Sequence, residues 1–339
     1  MTGTDNSGTG EAEPRRVILL RRLGHALVAP VAPLAGIAFG VRHAYMVYHP
    51  PRPTGKQRTP ANKKLPMRTM TVTTTRDAVP LRAWVVPGRG PHTVIVCHGM
   101  GRTKSMALGH IELLHKAGHH VVAYDMRNHG ESGGDRRYGD QSETFTSDLR
   151  DVLDAVSADP ELGGGSLALL GFSFSTWPSL RVLPDSRVAA VVVEGGPALD
   201  VAGGLGHFAG LRRNQLRAWM RGPVSFAAYR WTFRAFSMHM LRLRDWPPDL
   251  SSVSTRLMFI GGAQDTVVQA EQVKRMARHC PKATWWLAPN AMHMNALRLD
   301  RAEYKRRVLP FLHKAFKDAD RAGTARSKTA RAAEVAAHD

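Results

Sequence analysis

Six apolar runs of strand length recur along the chain, at Thr93–Cys97, His120–Tyr124, Leu167–Leu170, Val188–Val193, Leu257–Ile260 and Ala283–Leu287. Each is close to continuously apolar instead of alternating, the pattern of strands covered on both faces in a parallel sheet. Between them, helical periodicity over Lys104–Ala117, Ser142–Ala158 and Val268–His279 predicts crossover helices. Ahead of them, Met70–Thr75 and Pro80–Val86 alternate enough to predict an antiparallel hairpin. The pattern as a whole predicts an α/β fold: a mostly parallel, doubly wound sheet opened by a hairpin.

One stretch breaks the alternation. Residues 195–252 are far longer than an ordinary connection of ~2–6 residues. Amphipathic patterns over Gly210–Met220 and Ala227–Leu243 predict a helical lid there. Arginines interleave with aromatics in this segment, and the aromatic and Met side chains from Trp219 to Met240 are expected to line an apolar pocket.

The flanks divide by composition. Residues 1–22 are polar and basic and are expected to be disordered. Residues 23–41 lack Asp, Glu, Lys and Arg, and as a helix would span about 28 Å, which makes them a candidate membrane helix. Pro30, Pro33 and several glycines count against spanning, and a cleaved secretory signal or an interfacial helix are the other readings. Residues 42–66 read as a Pro-rich linker, residues 67–317 as the folded domain, and residues 318–339 as a basic flexible tail. A chain beginning near Pro60 is therefore expected to keep its site. Localisation at a membrane is the expectation, with secreted and cytoplasmic as alternatives. Basic residues balance on the two sides of the segment, so orientation is open.

The formal net charge is +19, from 47 Lys and Arg against 28 Asp and Glu. No nucleic-acid-binding motif accompanies it, so no nucleic-acid partner is expected. An anionic lipid or anionic substrate suits the charge better. The two cysteines, Cys97 and Cys280, fall at opposite ends of their predicted strands and are expected to stay free. Oligomeric state is open.

Candidate chemistry sits where the apolar runs end. Gly171-Phe172-Ser173-Phe174-Ser175 follows the Leu167–Leu170 strand, as in a sharp strand-to-helix turn that exposes a serine hydroxyl. Small residues two before and two after the serine keep such a turn free of collisions. Asp265 follows Leu257–Ile260, and His293 follows Ala283–Leu287. Ser173, Asp265 and His293 thus occur in the order nucleophile, acid, base, each just past a strand end, where open parallel sheets assemble their sites. Asp265 has an ordinary alternative as a helix N-cap, and Glu194, after Val193, is a rival acid.

At these residues the chain resembles the α/β-hydrolase superfamily, over roughly residues 69–315. It looks most similar to serine aminopeptidase-like and monoglyceride lipase-like hydrolases, including bacterial members with an N-terminal membrane segment. His98-Gly99-Met100-Gly101 and the loop Asp125-Met126-Arg127-Asn128-His129-Gly130-Glu131-Ser132 carry the likeness further, while Ser175 stands where the motif has its second glycine. The resemblance implies an α/β-hydrolase fold with a helical lid and a serine hydrolase cleaving carboxylic esters through an acyl-serine. It implies an oxyanion hole from the backbone N–H groups of Met100 and Phe174, and loop-ordering roles for His98 and His129. The expected partner is a small-molecule ester or lipid. A peptidase, amidase or acyltransferase would use the same residues, and a non-catalytic lipid-binding or scaffold protein is the alternative of another class. No metal-ligand cluster, phosphate loop or dinucleotide fingerprint occurs, so no cofactor is implied.

Overall fold

A computed structural model describes residues 31–280 and 282–336, with side chains through Ala325. Its strands are β1 (Arg68–Thr73), β2 (Pro80–Val86), β3 (Thr93–Cys97), β4 (His120–Tyr124), β5 (Leu167–Phe172), β6 (Val188–Glu194), β7 (Arg256–Gly262) and β8 (Thr284–Ala288). Its helices are α1 (Ala32–Tyr48), α2 (Leu108–Lys116), α3 (Gln141–Ala158), α4 (Thr176–Arg181), α5 (Val201–Leu211), α6 (Pro223–Leu241), α7 (Ala270–His279), α8 (Ala296–Leu299) and α9 (Arg301–Ala336).

All eight strands form one sheet in the order β1-β2-β4-β3-β5-β6-β7-β8. The β1–β2 and β2–β4 pairs are antiparallel, and every later pair is parallel. This is the sheet the apolar runs predict, with the hairpin at its start. Every residue of β3, β4 and β5 is buried, because helices cover both faces and leave no polar side to alternate with. One face packs Ile95, Leu169, Val191 and Phe259 against α3 and α7, with Leu149, Val152, Val273 and Met276. The other packs Val96, Leu170, Val192 and Ile260 against α2 and α9, with Ile111, Leu114, Val308 and Leu312. Burying one such side chain contributes about 1.5–3 kcal/mol. Cys97 and Cys280 are both buried and free.

The insertion between β6 and β7 is helical, but its first helix is not where periodicity puts it. Helix α5 spans Val201–Leu211, whereas Arg213–Gln215 and Ala218–Met220 are short 3-10 turns. Gly203, Gly204, Gly206 and Gly210 give α5 poor intrinsic propensity. Its start is set by the Asp200 carboxylate, which accepts the Gly203 N–H at 2.9 Å.

The flanks depart most from expectation. Residues 23–30 of the candidate membrane helix lie outside the described residues, as do residues 1–22. Among the described residues, no helix is long and apolar enough to cross a membrane. The described part belongs to α1, which runs seven residues into the expected linker and ends at Tyr48. Ala32, Gly36, Gly40, Ala44 and Tyr48, spaced by four, are its buried face. A Cβ at Gly40 would lie 2.8 Å from the Thr232 Cβ and 2.9 Å from the Tyr229 carbonyl oxygen, so the backbones of α1 and α6 meet directly. The Ala and Gly residues that counted against spanning thus serve helix–helix contact within the fold. At the other end, the chain from Asp318 to Ala336 continues helix α9 where a flexible tail was expected, and Asp318 pairs with Arg256.

Candidate active site

Strand β5 ends at Phe172, and Ser173 turns the chain with a left-handed φ of 51°. That conformation is uncommon for a residue with a side chain and aims the hydroxyl off the sheet edge. A Cβ on Gly171 would come within 2.8 Å of the Ser179 Oγ, which is why position 171 is glycine. Ser175, the departure from the motif, has a use of its own. Its buried Oγ donates to the Cys97 carbonyl at 2.6 Å and accepts the Phe172 N–H at 2.8 Å, tying the turn to β3.

Asp265 and His293 come from the ends of β7 and β8. The His293 Nε2 lies 2.9 Å from the Ser173 Oγ, and its Nδ1 lies 2.8 Å from the Asp265 Oδ2. Asp265 also braces its own loop, though not as a helix N-cap, because α7 starts only at Ala270 with Gln269 before it. Its Oδ1 accepts the N–H groups of Val267 and Val268 at 2.8 and 2.9 Å, holding the turn after β7, while Oδ2 faces the imidazole. Gly195, with φ 73°, passes so close that a Cβ there would sit 3.2 Å from the His293 ring. Its necessity is invisible in the sequence, because it depends on a residue about a hundred positions away.

Glu194, the rival acid, is buried and turned elsewhere. Its Oε1 accepts the Ala296 N–H at 3.0 Å, and its Oε2 lies 3.5 Å from the His110 Nε2. Burial and this carboxylate push the neighbouring Tyr304 hydroxyl well above its usual range. Glu194 therefore holds the chain just after His293 and does not reach the imidazole.

The loop carrying Met100 is held by two neutral histidines. The His98 Nε2 accepts the Met126 N–H at 2.9 Å, and the His129 Nε2 accepts the Gly101 N–H at 3.0 Å. Each Nδ1 faces a carbonyl, of Gly99 and Arg127, both at 2.8 Å, which fixes the Nδ1–H tautomer. Burial drives their pKa values down, to about 4 for His98 and about 3 for His129. Protonating either Nε2 would oppose an N–H to an N–H. A histidine whose folded pKa is depressed adds stability that is complete above the unfolded value near 6.5. That stability is lost as pH falls from there towards the folded value, since only the unfolded chain binds the proton. The thermal midpoint is therefore expected to hold above pH ~7 and to decline between pH ~6.5 and ~4, as a midpoint-against-pH series would read. A flat midpoint across that window would contradict the neutral-histidine account.

Ser173 and His293 open onto a cavity of about 810 Å³ that Met100 and Phe174 also line. Its walls correct the expectation for the lid. They come from α5, through Leu205 and Phe208, and from α1, through Met46, Val47 and Tyr48. Of the α6 aromatics, Tyr229 and Phe233 instead pack inward and form a separate core with Ala44 and Met220, while Trp231 faces solvent. The sequence signal for α1 was the four-residue spacing of its small residues, which reads equally as membrane helix or packed helix until a partner is seen.

The expectation that a chain starting near Pro60 keeps its site changes accordingly, since that chain loses one wall of the cavity. Losing fully buried Tyr48 alone costs about 1.5–3 kcal/mol. Side-by-side melting and ester assays are expected to show a midpoint lower by roughly 3–10 °C and turnover down by about tenfold or more. Equal melting and turnover would mean that α1 is dispensable.

Residues 94–305 match the alpha/beta hydrolase family, more than half of the chain. Among solved structures, an esterase from Pyrococcus furiosus superposes with a TM-score of 0.64 at 24% identity, covering 78% of this chain and 96% of that one. The alpha/beta hydrolase GrgF from Penicillium sp. sh18 gives 0.57 at 18% identity, covering 75% and 100%. In sequence, a polyketide transferase of Aspergillus fumigatus is 30% identical over 122 residues, 35% of this chain. The match spans 41% of that protein, less than half the length of the curated relative. With its strand order, its helical insertion between β6 and β7 and the match across most of its sheet, the chain belongs to the alpha/beta hydrolase family.

Proposed function

We propose that the protein is a serine hydrolase that cleaves carboxylic esters through an acyl-serine intermediate. Ser173 attacks the ester carbonyl while His293 takes its proton at Nε2 and passes it to the departing alcohol. Asp265 holds the imidazole with Nδ1–H towards itself and stabilises the imidazolium without taking the proton. The backbone N–H groups of Met100 and Phe174 receive the developing oxyanion, each such donor contributing about 2.7–4 kcal/mol. Water, activated by the same His293, then releases the acid and restores Ser173. Within the family, the Asp125–Ser132 loop favours the serine aminopeptidase-like and monoglyceride lipase-like branch.

The observation that carries this reading is the pair of hydrogen bonds running Ser173–His293–Asp265 on the wall of a largely apolar cavity. An acyltransferase is the second reading, favoured by the name of the Aspergillus relative. It shares the acyl-serine and differs in whether water or another nucleophile accepts the acyl group. A fluorophosphonate probe followed by peptide mapping is expected to label Ser173. A panel of esters, monoacylglycerols and aminoacyl amides, with and without alcohol and thiol acceptors, is expected to show esters cleaved fastest, with water as acceptor. Faster amide cleavage would mean a peptidase, and acyl transfer to an added acceptor a transferase. Absent labelling would leave a binding protein.

A further inference from the structure

Arg212 lies on the wall of the Ser173 cavity just beyond α5, and its surroundings are unusual for a guanidinium. It is half-buried, and its Nε is fully shielded without a hydrogen-bond partner. No ion pair joins it to a carboxylate among the described residues; its one close contact of note is the face of Phe208, 5.4 Å from ring centre to guanidinium carbon. The cavity offers no compensation. Asp200 is the one acidic side chain lining it among the described residues, and that carboxylate caps α5.

Neighbouring groups sense the unmatched charge. The His43 Nδ1 bonds the Tyr229 hydroxyl at 3.1 Å on the same side of the cavity. Burial first, then the charges of Arg212 and Arg42, hold His43 below its usual range, so it stays neutral near pH 7. Arg212 also pulls the Tyr229 hydroxyl downward against the larger upward effect of burial. A partly desolvated cation without a counter-charge is costly, and an anionic ligand group would relieve that cost. The guanidinium presents a planar fork suited to a carboxylate or phosphate, and Phe208 holds it by its face.

We infer that Arg212 is a specificity-determining residue that receives an anionic oxyacid group, carboxylate or phosphate, on the far part of a substrate whose ester lies at Ser173. Calling that ligand a substrate rests on the hydrolase reading; the binding preference does not. Leu205, Phe208 and Val47 line the same cavity, an apolar surface that suits a short acyl or alkyl chain linking the two groups.

Binding is therefore best measured without turnover, by calorimetry on the full chain carrying Ser173→Ala. The ligand pairs are monomethyl against dimethyl adipate, and 1-hexanoylglycerol 3-phosphate against 1-hexanoylglycerol. In at least one pair the charged member is expected to bind roughly 10–100-fold tighter, the range of a hydrogen-bonded charge pair. Which pair shows it distinguishes carboxylate from phosphate. Adding Arg212→Gln is expected to remove that preference, and Arg212→Lys, which keeps charge without the fork, to retain part of it. Arg213→Gln is the control, because the Arg213 guanidinium donates to the Arg221 carbonyl and stacks on Phe226 instead. Equal affinities within both pairs would overturn the inference, as would a preference that survives Arg212→Gln. A preference lost equally in Arg213→Gln would reassign it to the general positive field. Charged-ligand preference in a protein whose intact Ser173 cleaves no ester would keep the inference and sink the hydrolase reading.

Discussion

Ester turnover is expected to fall by roughly 10⁴–10⁶-fold in Ser173→Ala, and fluorophosphonate labelling to disappear with it. The fold should not suffer. Ser173 already occupies a left-handed φ of 51°, and alanine carries the same Cβ and the same strain. Among the described residues, the one side-chain hydrogen bond lost is that to His293 at 2.9 Å, at a partly exposed position where water can replace it. The melting curve therefore separates a chemical loss from a structural one. Retained turnover with an unchanged melt, or labelling that moves to another serine, would remove Ser173 from the mechanism.

Asp265→Asn carries the second largest expected effect, a loss of roughly 10³–10⁴-fold in kcat. Asn can still accept the Val267 and Val268 N–H groups through its carbonyl oxygen, so the turn after β7 survives. The amide NH₂ then faces the His293 Nδ1 and drives the proton to Nε2, the atom that must accept the serine proton. Glu194→Gln is the matched comparison. Its carbonyl can go on accepting the Ala296 N–H, so any effect is limited to a modest hydrogen-bond adjustment, less than about tenfold. A reversal, with Glu194→Gln the crippling change, would identify Glu194 as the acid. Steady-state kinetics on both variants decides between them.

Both expectations concern residues that local signals could find. The fully buried strands β3 to β5 announce themselves as apolar runs because covering both faces removes every polar position. A parallel sheet then gathers the C-terminal strand ends at one edge, so Ser173, Asp265 and His293 could be picked out by rank along the chain. The sequence left Asp265 as either acid or helix N-cap; that one oxygen braces the turn while the other faces the imidazole is visible only in the fold.

What the sequence by itself determined about this protein is thus the sheet, its opening hairpin, the helical insertion and the order of the three polar residues at the strand ends. These follow from short-range chemistry: periodicity, strand length and the turn that small residues permit. Tertiary structure decided the rest. The identical spacing of Ala32, Gly36, Gly40 and Ala44 suits a lipid-facing or a protein-facing helix, and only contact with α6 selects one. The placement of α5 over the Gly-rich run, the inward turn of Tyr229 and Phe233, and the unmatched charge of Arg212 depend likewise on partners distant in sequence. Hydrophobic contact is non-directional, so a residue's apolarity states that it will be covered but not by what.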